Sequence, residues 1–276
     1  MDGFPFDLIL TVATATATIF LGFLPTASIR SSFFSRATLK AALAWGLVTL
    51  VTPPAIIHFP FFFALLCVGA WRKFSRDSAF SGKMWLCVAS GLGISLGVML
   101  LLALTPRAWP PGLPLVPQIL LLASIYLGGA IIGLACVCAS LAHNLSTDSG
   151  VSYAVVQRYV GLLLNLTLAR AVVLPALLLV TPDLPGHLQF SEHVLPVTTT
   201  HLANGLTDIT FDHDQDVSVS IQTLLLLGLV VILIPGVACL ASRATRFSSK
   251  IKPTRLLVAI CFFGLLAETL ARLLVL

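Results

Sequence analysis

Apolar residues along this chain come in long runs broken by short charged stretches, without the alternation of a half-buried strand or the polar face of a soluble helix. About 20 such residues cross ~30 Å of hydrocarbon as a helix. On that criterion residues 6–24 form a first span. Residues 37–52 and 55–71 are shorter and separated by Pro53 and Pro54. Proline lacks an N–H and its ring clashes with the preceding turn, so these two segments read as separate spans joined by a tight turn. Residues 84–104, 115–142, 153–181, 217–242 and 254–276 complete the series. The pattern predicts an all-α fold: a polytopic transmembrane helix bundle of about eight spans, with 1–276 as a single integral membrane domain. A closed barrel, the other architecture that satisfies its backbone in lipid, requires period-2 segments that are missing here.

Composition reinforces the class. Of the 276 residues 58% are hydrophobic and 10% charged, whereas a soluble domain carries about 25% charged residues. The formal charge of +5 would suggest a nucleic-acid partner in a soluble protein, but these cations sit in short loops between spans, where they report orientation instead. Arg30, Arg36 and Lys40 follow the first span; Arg72, Lys73, Arg76 and Lys83 follow the third; Arg243, Arg246, Lys250, Lys252 and Arg255 precede the last. With eight spans all three clusters fall on one face, expected to be cytoplasmic. The opposite face takes Asp2 and Asp7, the loop around Arg107, and an acidic outer loop over 182–216 that has six carboxylates and no Lys or Arg. The threading is N-out and C-out, in a cell inner (plasma) membrane. The start MDGFPFD has no basic n-region, so the first span is expected to be a permanent helix rather than a cleaved signal.

Small residues should carry the helix packing, because lipid removes the hydrophobic drive between helices. Gly93 and Gly97, Gly129 and Gly133, and Ala13 and Ala17 have the required spacing. In the first span Thr11, Thr14 and Thr18 share one face, as hydroxyls bonded back to the preceding turn or as the lining of a polar cavity. All six cysteines fall in spans, which suits free thiols rather than structural disulfides. Cys136 and Cys138 point about 200° apart on a helix and no CxxC occurs, so no metal site is expected from them.

An ionisable group within hydrocarbon costs roughly 2.5–3.5 kcal/mol on insertion scales, so it needs a partner or a purpose. Arg170 lies near the middle of the sixth span and Glu268 somewhat beyond the middle of the eighth, with Arg272 one turn further on. Both helices run the same way, so Arg170 and Glu268 reach similar depth. Either they form a buried ion pair that fixes helix orientation, with Arg272 snorkelling, or they serve a quinone head group, a proton or a substrate. His143 and Arg158 flank the loop after the fifth span, His143 as a cap on that helix or as a ligand or proton relay, and Arg158 as one more interfacial cation. Asn165, seven residues on from Arg158, extends that face inward. A haem shared between His143 and His58 is disfavoured because the threading puts them on opposite faces. His187, His193, His201 and His213 in the outer loop match no metal-ligand spacing, and FDHDQDV lacks the glycine and glutamate of a calcium loop. No phosphate-cradling glycine loop, HExxH or GxSxG occurs. No catalytic residue is assigned.

The ending LLAETLARLLVL, the size and the N-out threading resemble the membrane anchor subunits of dimethyl-sulfoxide-reductase-type respiratory complexes, whose last span also carries Glu followed four residues later by Arg. Glu268 and Arg272 have that spacing, with Ala267 and Ala271 where the family has glycine. The stretch LAHNL, followed by a span with Arg158 and Arg170, is similar to a group of uncharacterised bacterial membrane proteins whose first loop reads Leu-Gly-His-Trp-Tyr-Leu. Leu141 and His143 match it; Ala142, Asn144 and Leu145 depart from it. The first resemblance implies a non-catalytic subunit that holds partner subunits at the bilayer and exchanges electrons with quinone. A small transporter or channel, or an assembly scaffold, is the alternative.

Overall fold

The computed structural model describes residues 4–25, 29, 31–51, 115–147, 151–180, 200–201, 207–208, 228–247 and 253–275. The expected spans over 55–71 and 84–104, the basic cluster from Arg72 to Lys83, His58, and most of the 182–216 loop lie outside these residues.

Six α-helices occupy the described chain: α1 (Phe4–Gly22), α2 (Ser31–Val51), α3 (Leu115–Thr147), α4 (Tyr153–Val180), α5 (Ile234–Phe247) and α6 (Pro253–Val275). Each coincides with an expected span. Three helical stretches, Leu115–Leu145, Tyr153–Leu177 and Leu229–Arg246, are long and apolar enough to cross a membrane. Within residues 182–216 two short strands, β1 (Thr200–His201) and β2 (Thr207–Asp208), pair antiparallel with Thr200 opposite Asp208.

Three boundaries differ from the sequence expectation, the first of them at α5, which runs past residue 242 to Phe247 and takes Arg243 and Arg246 into the helix. Helix α2 begins at Ser31 rather than near residue 37 and so takes Arg36 into its second turn. Helix α3 continues past Ala142 to Thr147, which places His143 inside the helix instead of at its cap. Hydropathy marks where the lipid-crossing run ends, whereas nothing in HNLST stops the backbone from going on for another turn.

Helix α5 is entered through a π-helical turn, Leu229–Leu233, in which the Ile234 N–H bonds to the Leu229 carbonyl. Pro235 follows immediately. Proline cannot donate to the carbonyl one turn back, and a local widening of the helix accommodates that loss without breaking the segment. Pro175 removes a donor in the same way inside α4, one turn beyond Arg170.

Helix α1 lies in a glycine groove on α3. A side-chain carbon on Gly133 would collide with the Ala13 carbonyl and stand 2.7 Å from the Ala17 N, and one on Gly129 would strike Val12. The small residues picked out by spacing on the two helices therefore meet each other. Contact this close lets the Thr16 hydroxyl, 2.7 Å from the Val12 carbonyl, also donate across to the Gly129 carbonyl at 3.2 Å. On the other side of α1 the Thr18 hydroxyl bonds back to Thr14 O at 2.8 Å and accepts the indole N–H of Trp45 from α2 at 3.2 Å. Of the two expectations for the α1 threonines, back-bonding is the one Thr18 follows, and Thr11, Thr14 and Thr18 are all buried.

Candidate functional site

Helices α3 and α6 pack antiparallel, and three contacts fix their register. Gly128 faces Glu268, Ile132 lies 3.2 Å from the place of a side-chain carbon on Gly264, and the Cys136 and Cys261 sulfurs are 3.5 Å apart. Helix α4 returns along α3 after a short connection whose Val151 bridges to Ile29, just ahead of α2. These constraints bring the C-terminal ends of α1, α3 and α5 and the N-terminal ends of α2, α4 and α6 to one end of the bundle. Arg36, Lys40, Arg158, Arg243, Arg246 and Arg255 all stand exposed at that end.

At mid-height, Arg170 of α4 and Glu268 of α6 form an ion pair, with 5% and 4% of their side chains exposed. The pair closes over Gly128 of α3: a side-chain carbon there would overlap both the guanidinium and the carboxylate. Three helices thus converge on one charge pair, and the smallest residue sits where they cross. A hydrogen in place of a methyl lets the two charges meet against backbone, in a setting where each would otherwise be unpaired in a low dielectric.

That setting also decides what the pair can do. Breaking a buried pair by deleting one partner leaves an uncompensated charge at a cost of about 3–5 kcal/mol, while replacing both by apolar groups is often neutral or better. The arrangement is that of a clamp on helix position.

The other candidates do not join this site. Arg158 and Asn165 are exposed on the outside of α4, so the stripe they form faces away from the helix junction. His143 is exposed on α3, fifteen residues from Gly128, which is about 22 Å along the axis. Arg272 belongs to α6, with its side chain outside the described part. Cys138 is buried and Cys136 exposed on opposite sides of α3, as their spacing required. Among the described residues no group of three or more His, Cys, Asp or Glu side chains comes together as a metal site.

Sequence reasoning missed Gly128 and the Cys136–Cys261 contact. Gly128 adjoins Gly129, which drew attention through its spacing to Gly133; the doublet GG presents one glycine to α1 and the other, a rotation of about 100° away, to the ion pair. No family model, curated protein or solved structure matches the chain.

Proposed function

We propose that this protein is an integral membrane subunit without catalytic activity of its own, an anchor or scaffold whose helices hold partner subunits at the bilayer. The observation that carries the reading is the Arg170–Glu268 pair closed against Gly128, which supports an architectural role for the ionisable groups at the helix junction. In the full chain about eight spans run N-out and C-out in a plasma membrane, with the basic end cytoplasmic and the 182–216 loop outside. A quinone-exchanging anchor is the narrower form of the proposal, supported by the Glu268 and Arg272 spacing. A transporter or channel would need the two charges to line a path, and their mutual burial speaks for the anchor. Purification from membranes in mild detergent tests this directly: a stoichiometric protein partner is expected, and a bare monomer that brings down neither partner nor quinone overturns the proposal.

A further inference from the structure

Near the basic end, α2 and α3 border an open pocket of about 100 Å³ whose polar lining comes from Arg36, Lys40, Ser140, His143 and Asn144, with no carboxylate among its lining residues. The Asn144 amide donates to the Ser140 carbonyl at 2.7 Å, which fixes that side chain against the wall. Two cations and an imidazole around a volume this small suit a single phosphate group.

Depth and continuity say which phosphate. Gly128 lies at mid-height of α3, and His143 is about 22 Å further along the axis, beyond the ~15 Å half-thickness of the hydrocarbon and at headgroup level. On α2 the cationic positions 36 and 40 continue along one helical face into Leu43, Leu47 and Leu50. These leucines are 69%, 58% and 83% exposed. Among the described residues nothing covers this apolar track, so a phosphate held by Arg36 and Lys40 has beside it a path toward the bilayer centre, which a free phosphate has no use for and an acyl chain does.

We propose that this pocket is a headgroup site for an anionic phospholipid, with the phosphate between Arg36, Lys40 and His143 and an acyl chain along Leu43, Leu47 and Leu50. The proposal rests on the bundle being embedded in a membrane, whatever partner it holds. Full-length protein, delipidated in maltoside micelles, is titrated with phosphatidylglycerol, phosphatidylcholine and inorganic phosphate and weighed by native mass spectrometry. Phosphatidylglycerol is expected to bind and phosphatidylcholine to bind far more weakly. The R36Q/K40Q variant should lose about 30-fold in phosphatidylglycerol affinity, near the two surface cations' combined contribution. Leu47→Ser, which leaves both cations in place, should weaken lipid binding while changing nothing for inorganic phosphate. Equal binding of the two lipids, an unchanged R36Q/K40Q variant, or inorganic phosphate that binds as tightly as the lipid overturns it. Release of the wild-type chain from cell membranes by a carbonate wash would overturn the membrane reading instead.

Discussion

Arg170 and Glu268 illustrate how far a single residue's cost can be read ahead of its geometry. Their presence in apolar runs announced a partner or a purpose, and similar depth made each the other's candidate. The structure joins them and adds Gly128, which no cost argument could have found because glycine's contribution is the space it leaves. Two consequences are measurable. Arg170→Met or Glu268→Gln alone should destabilise the bundle by about 3–5 kcal/mol, while R170M/E268L together should recover most of that loss, as a thermal or denaturant series in detergent would show. Equal losses in the single and double variants would mean the two charges do not act as a pair. Gly128→Ala should destabilise comparably to the single charge deletions, since its methyl group would overlap both ionised groups; if the variant unfolds at the wild-type temperature, the clamp does not close where described.

Helices were the most legible scale. Runs of apolar residues located all six described α-helices because lipid forces every backbone group into an intra-segment bond, so length and hydropathy suffice. Their ends were less legible: HNLST is polar enough to leave the hydrocarbon yet still helical, and SSFFSR is helical before the apolar run begins. Pairing between helices was legible where small residues marked it, as at Ala13, Ala17, Gly129 and Gly133, and hidden where it depended on register, as at Cys136 and Cys261. That register gives a chemical check. In a background where Cys67, Cys87, Cys138 and Cys239 are replaced by alanine, mild oxidation should link Cys136 to Cys261 and retard neither single-cysteine variant on a gel. Failure to cross-link under conditions that oxidise both thiols would displace α3 relative to α6. Gly129 and Gly133 make a second test: replacing both with leucine should push α1 off α3 and lower the unfolding temperature by more than the same changes at Gly161 and Gly236, beside which a side-chain carbon would meet nothing.

At the scale of the whole molecule, the exposed cations among the described residues gather at one end, as the spacing of basic clusters between spans led one to expect. The helix junction at mid-height joins three helices, and the proposed headgroup site lies toward the basic end. Orientation follows from the same charges: reporter fusions after Lys40 and after Phe247 should both read cytoplasmic, and one after Asp208 should read external. The function was the least legible property, because the proposed anchor would be defined by a surface matched to another protein, and no residue pattern in one chain specifies that partner. The central claim, that the buried pair serves architecture in a subunit that holds a partner, is tested most directly by purifying wild type and R170M/E268L side by side in mild detergent. Both chains are predicted to bring down the same partner in the same ratio; a wild-type chain that purifies alone, or a stably folded double variant that has lost the partner, would contradict it.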